Sequence, residues 1–254
     1  MKKLMFIASA LLCSAVLADI NPLTSGVVGY GQNQLKAGSS AVGAQFVTIS
    51  GEGMDLCDIV PTGYNKETYV GGSIYVQLLD ASGYMVPGSM YFWYDDEDGT
   101  AWFDGNDDEV VRGQVTYGAG DALWVNANST SEALKSFGQV ANGSIDVYLR
   151  NGSKLVCNPT PAAIPFNDDN RDGKFIAPMG YGESYVGGSI TVQKLDKDGY
   201  MVPGSMYFWY DDEDGTAWFD GNDDEVSGVS LQPGEAVWVG ANSTSEKLNF
   251  PSAL

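Results

Sequence analysis

The chain has 254 residues, enough for one or two domains, and carries 13 Lys+Arg against 33 Asp+Glu, no His and a formal charge of -20. With 44% hydrophobic and 12% aromatic residues it can build real cores and is no disordered acidic tail. The negative charge repels nucleic-acid phosphates and anionic lipid, and the lack of His excludes a His general base, a Ser–His triad and a His metal ligand.

In chain order the first element is a leader. Lys2 and Lys3 form a charged start, Leu4 to Leu12 a short apolar core, and Val16, Leu17 and Ala18 the small or modest residues a signal peptidase reads. They predict a secretory signal peptide over residues 1–18, cleaved before Asp19, and so a secreted, extracellular or cell-surface protein. The apolar run is well short of the roughly 20 residues that span a bilayer, and nothing later is apolar enough to do so. Leu12 precedes Cys13 where a lipoprotein would want a small residue. Cleavage leaves 11 basic against 33 acidic residues. Cys57 and Cys157 then leave two readings open, a disulfide in an oxidising compartment or two buried thiols.

An internal duplication organises the rest. Gly83–Val110 and Gly199–Val226 are identical, residue for residue, at an offset of 116. TYVGGSIYVQLLD before the first copy matches SYVGGSITVQKLD, and GDALWVNANSTSE after it matches GEAVWVGANSTSE. LKAGS at Leu35 resembles LRNGS at Leu149. The expected division is 19–139 and 140–254, each the size of one small domain. SIYVQLL and SITVQKL alternate with period two, MYFWY, TAWF and ALWV are aromatic strand-like runs, and Gly, Asp, Asn and Pro punctuate them. No stretch carries a sustained 3.6-residue apolar stripe. The fold class predicted is all-β, two tandem antiparallel β-sandwich or barrel units, with one composite sandwich exchanging strands as the alternative. Residues 19–34 could pair within their own unit or with a neighbour, and the second arrangement would make a fibre.

One hairpin can be set out in detail. Asp98-Gly99, a favoured two-residue turn, separates two aromatic runs. That register pairs Asp95 with Trp102, Tyr94 with Phe103 and Trp93 with Asp104. Phe92, Tyr94, Ala101 and Phe103 share one face, and Trp93, Trp102, Asp95 and Asp104 the other. The less charged set is expected inside. The tryptophans would then stand beside carboxylates near solvent, a candidate sugar site, repeated at Trp209, Trp218, Asp211 and Asp220. The competing reading makes all these tryptophans core.

The acidic runs DDEDG and DGNDDE are candidates for calcium or plain solvated turns. FNDDNRDGKF fits better: Asp168, Asn170, Asp172 and Gly173 match the opening of a calcium loop, though Met179 stands where the closing acid belongs. Calcium is the one candidate cofactor. Paired carboxylates could also run glycoside hydrolysis, but here they sit in short turns and the pairing is unspecific.

The arrangement resembles a group of secreted two-repeat bacterial β-proteins. These share a VxGY-type first strand (here Val28–Tyr30), a WYD hairpin (Trp93–Asp95) and a G-[ED]-x-hydrophobic-W-V strand (Gly120–Val125 and Gly234–Val239). Their repeats end in GQV-like or NFP-like tails (Gly138–Val140 and Asn249–Pro251). The resemblance implies location and architecture and supplies no catalytic residue. The expected function is a non-enzymatic extracellular or cell-surface β-repeat protein with a structural, display or assembly role. The alternative is a calcium-assisted carbohydrate-binding protein with one site per repeat. The expected partners are glycans or copies of the chain itself, with no nucleic acid and no membrane span.

Overall fold

The computed structural model describes residues 24–35, 37–43, 45–47, 53–64, 74–80, 84–96, 99–169, 172–181, 190–196, 199–212 and 215–252. The predicted signal peptide, residues 1–18, lies outside them. The chain is all-β, built from several small antiparallel sheets. Among the described residues no helix is long and apolar enough to cross a membrane.

The first half runs β1 (Thr24–Gln34), β2 (Gly38–Gly43), β3 (Met54–Asp55), β4 (Ile59–Thr62), β5 (Ile74–Leu79), β6 (Met85–Asp96), β7 (Gly99–Phe103), β8 (Thr116–Tyr117), β9 (Ala122–Ala127) and β10 (Ala133–Ala141). The second runs β11 (Ile145–Tyr148), β12 (Gly152–Cys157), β13 (Ile164–Pro165), β14 (Ala177–Met179), β15 (Ile190–Leu195), β16 (Met201–Asp212), β17 (Gly215–Phe219), β18 (Ser230–Leu231), β19 (Ala236–Ala241) and β20 (Lys247–Phe250). A five-stranded sheet in the order β2-β9-β5-β6-β7 has its counterpart in β12-β19-β15-β16-β17. Three-stranded sheets β1-β10-β4 and β11-β20-β14 correspond in the same way, as do the pairs β3-β8 and β13-β18. β1 pairs with β10 of the same chain, Val28 opposite Gln139 and Gln34 opposite Ala133. The N-terminal strand therefore folds back.

The repeated strands follow from period two. IYVQLL and ITVQKL share one burial pattern, and so do ALWVNA and AVWVGA. Their inward apolar residues feed two matching cores. One gathers Ile74, Val76, Trp93, Trp102, Leu123 and Val125, the other Ile190, Val192, Trp209, Trp218, Val237 and Val239. Each large apolar side chain so buried contributes about 1.5–3 kcal/mol before entropy is counted.

Polar groups inside these cores are satisfied in duplicate. Gln77 Nε2 donates to Val86 O at 2.9 Å and Ser89 Oγ at 2.8 Å, bracing the register shift between Gln77 and Leu79. Gln193 does the same to Val202 O at 2.7 Å and Ser205 Oγ at 2.9 Å. Buried Glu132 accepts the backbone N–H groups of Asn128 and Ser129, and Glu246 those of Asn242 and Ser243. The shared NSTSE segment thus closes on its own glutamate. A buried carboxylate needs such donors to offset its lost hydration.

Candidate functional site

The hairpin of β6 and β7 holds the first predicted site, and its register differs from the expected one. Trp93 lies opposite Trp102, Tyr94 opposite Ala101, Asp95 opposite Thr100 and Asp96 opposite Gly99. Gly99 is the first strand residue of β7 and not a turn residue. The shift spans two residues across the pair, so the two faces keep their membership. Their orientation is reversed. Trp93 and Trp102 are 8% and 2% exposed, and Trp209 and Trp218 are 5% and 0% exposed. The rings meet edge to face at 5.3 Å and 5.4 Å. Trp102 Nε1 donates to Ile59 O and Trp218 Nε1 to Ile176 O, both at 2.8 Å.

These tryptophans are core and offer no ring face to a sugar. The cause is local. Asp104 appeared to burden their face with charge, but β7 ends at Phe103 and Asp104 has already left the sheet. The side chains of Asp95 and Asp211 lie outside the described residues.

On the opposite face Tyr94 stacks on Phe103 at 4.1 Å, and Tyr210 on Phe219 at 4.2 Å. Tyr94 Oη donates to Asp107 Oδ1 at 3.0 Å, and Tyr210 Oη to Asp223 Oδ1 at 2.9 Å. Each tyrosine thereby ties its strand to the acidic loop beyond it. Within that loop Asp104 Oδ1 accepts the N–H of Asn106 at 2.8 Å and of Asp108 at 3.1 Å. Asp220 repeats the contacts with Asn222 and Asp224. These backbone donors hold both carboxyls below the ordinary aspartate value of 3.8. The carboxylates organise turns.

In the predicted calcium loop, Asp168 accepts the N–H of Asp172 at 2.7 Å and of Gly173 at 3.0 Å. Asp172 Oδ1 accepts that of Lys174 at 2.9 Å. Asn170 lies outside the described residues. Among those described, no group of three or more Cys, Asp and Glu is placed to hold a metal ion.

No disulfide joins Cys57 and Cys157 in the structure, which follows the thiol reading of the two. They belong to separate clusters: Cys57 packs against the first core, and Cys157 lies where the two halves meet. Burial first, then the neighbouring Asp55 charge, pushes the Cys57 thiol up to about 11. Burial also pushes Cys157 upward. Neither has thiolate character near neutral pH.

The meeting of the halves is the feature the sequence reading missed. β2 on β9 and β12 on β19 share one register at an offset of 114, which makes Gly43 the counterpart of Cys157, Val42 of Val156 and Asp121 of Glu235. These counterparts cross over. Val42 bridges to Glu235 and Val156 to Asp121. Gly43 N donates to Gly234 O at 3.0 Å, and Cys157 N to Gly120 O at 2.8 Å. Ala122, Leu155, Cys157 and Ala236 fill the space between, with Ala41, Leu79, Trp124, Leu195 and Trp238 around them. Lys154 joins Asp121 across the junction at 2.7 Å.

Close approach sets the glycines here. A Cβ on Gly120 would lie 2.2 Å from Val147 Cγ2, and one on Gly234 would lie 2.7 Å from Gly43 O. The available signal was the glycine preceding the ALWV and AVWV strands in both copies. No protein-family model, curated protein or solved structure matches the chain.

Proposed function

We propose that the chain is a secreted, non-enzymatic extracellular or cell-surface β-repeat protein with a structural, display or assembly role. In this reading it is built of two tandem antiparallel units, near 19–139 and 140–254, packed on each other through equivalent surfaces. The observation that carries the proposal is the reciprocal junction, Val42 to Glu235 and Val156 to Asp121. A contact in which residue i of one copy meets residue j of the other, and j meets i, is the isologous pattern of symmetric assemblies. It joins two copies into one body, which suits a scaffold.

The use of the acidic residues supports the same reading. Asp104, Asp220 and Asp168 spend their oxygens on backbone N–H groups in exposed turns. A catalytic carboxyl pair would instead face a shared cleft.

The test is export followed by sizing. The full chain is expressed in a bacterial host, fractionated, and the exported product sequenced from its N-terminus. The expected product begins at Asp19 and is found on the cell surface or in assemblies larger than one chain. A full-length precursor retained in the cytoplasm overturns secretion, and an exclusively monomeric product free in the medium overturns the display and assembly role.

A further inference from the structure

The crossing of the halves leaves a groove of about 340 Å³ bounded by β1 and β2 on one side and by the Asp196 and Gln232–Glu235 turns on the other. That volume falls within the roughly 300–1,000 Å³ of small-ligand sites. Its lining mixes apolar groups, among them Val42, Leu195 and Pro233, with amides and a hydroxyl from Gln32, Asn33, Gln34, Ser40 and Gln232.

Three of these polar groups are held in place by hydrogen bonds. Gln34 Nε2 donates to Thr130 O and Glu132 O, both at 2.8 Å, which leaves its Oε1 as an acceptor. Gln32 Oε1 accepts from Tyr30 Oη at 3.0 Å, which leaves its Nε2 as a donor. Among the described residues the Ser40 hydroxyl and the Gln232 side-chain amide have no hydrogen-bond partner, so each keeps both capacities. Asn33 donates to Gly43 O at 3.1 Å and accepts from Gln45 Nε2 at 3.0 Å, which fixes its amide in the lining.

Donors and acceptors interspersed with apolar groups match a ligand whose hydroxyls both give and take hydrogen bonds while its C–H groups pack on apolar side chains. Asp196 and Glu235 line the same groove. Lys194 joins Glu235 at 2.9 Å, and the whole chain carries a formal charge of -20. An anionic ligand is therefore disfavoured. Tyr200 stands 72% exposed beside the groove, its backbone N–H on Asp196 Oδ1 at 2.9 Å.

The counterpart groove at the other end of the junction has different chemistry. At the places of Gln32, Asn33 and Gln34 the second half has Asp146, Val147 and Tyr148, and at the place of Ser40 it has Lys154. Lys154 reaches Asp121 at 2.7 Å, and Arg150 joins it in the lining. An ion pair thus occupies the space that the first groove leaves to amides.

We propose that the groove between β1, β2 and the Gln232–Glu235 turn binds a neutral oligosaccharide, one site per chain. The site goes beyond the display reading and gives that role a means of attachment. It differs from a hairpin site, which would occur twice.

The test uses the full exported chain, with calorimetric titration of cellohexaose, maltohexaose and mannohexaose, and polygalacturonate as the acidic comparison. At least one neutral hexasaccharide is expected to bind with a stoichiometry of one. Ser40→Lys, which copies the counterpart groove, and Gln232→Ala are expected to weaken it at least tenfold. Lys154→Ser at the other groove is expected to leave it unchanged. Melting curves matching the wild type confirm that each variant is folded. No binding of any neutral probe, two equal sites per chain, tighter binding of polygalacturonate, or indifference to both groove variants would each overturn the site. All four outcomes are independent of the export experiment, so either proposal can fail alone.

Discussion

Gly43 and Cys157 are counterparts on β2 and β12, and they stand against each other: a Cβ built on Gly43 would lie 1.9 Å from Cys157 Sγ and 2.1 Å from its Cβ. Two equivalent positions cannot both carry a side chain at such a crossing. One copy has given its side chain up, and the other fills the space.

Gly43→Ala is therefore expected to destabilise the protein by about 1–3 kcal/mol, the usual cost of overpacking a closed core. Cys157→Ala should relieve little of this, because the Cβ clash remains. Gly43→Ala combined with Cys157→Gly moves the Cβ from one copy to the other and should recover most of the loss. Urea unfolding of the wild type, Gly43→Ala, Cys157→Gly and the double variant closes the cycle. Additive losses in the double variant would refute the contact.

The two hairpin tryptophans should respond differently to the same change. Trp102 Nε1 donates to Ile59 O at 2.8 Å, whereas Trp93 Nε1 is buried without a partner among the described residues. Replacement by Phe removes a similar volume from each. Trp102→Phe also removes a hydrogen bond, and Trp93→Phe removes an unsatisfied donor. Trp102→Phe is expected to cost about 1 kcal/mol more in chemical denaturation. Trp209 and Trp218 repeat the contrast, Trp209 being the unpartnered member. Equal losses at Trp93 and Trp102 would contradict this.

Much of this architecture is legible in the residues. Identical segments fold to identical strand pairs, and the alternation in IYVQLL and ALWVNA marks the buried positions. The hairpin faces could be grouped by parity but not oriented by charge, because an aspartate falls on each, Asp95 with the tryptophans and Asp96 with Tyr94. The junction was harder to see. Gly43 and Cys157 share no chemistry, and their equivalence appears only at the offset of 114, two less than the offset of the identical segments. The groove joins Gln32 to Gln232, residues that no local pattern connects.

The Cys57 thiol makes the protein sensitive to alkali. The Cys57 thiol is raised from its ordinary 9.0 to about 11 by burial and then by the Asp55 charge. The folded protein keeps its proton after the unfolded chain has lost it. This contribution is complete below pH 9.0 and is lost as pH rises through about 11. Wild type should thus lose more stability than Cys57→Ala over that interval. Labelling of the native protein by a thiol reagent at pH 8 should be slow and should accelerate on unfolding. Rapid labelling of both thiols in the native state would refute the burial argument.

Acid should act through the turn carboxylates in the opposite sense. The N–H groups of Asn106 and Asp108 hold the Asp104 carboxyl below its ordinary 3.8, and those of Asn222 and Asp224 do the same for Asp220. The unfolded chain takes up these protons first as pH falls. The stability they contribute is present above the ordinary carboxylate value and is lost as pH drops through the depressed folded values. Asp104→Asn with Asp220→Asn keeps an acceptor at each turn but removes the charge. The gap in stability between wild type and this double variant should be widest near neutral pH and should close in strong acid. A gap that stays constant from neutral to strongly acid pH would mean that the charge on the two turn carboxylates contributes nothing, and that they act through shape alone.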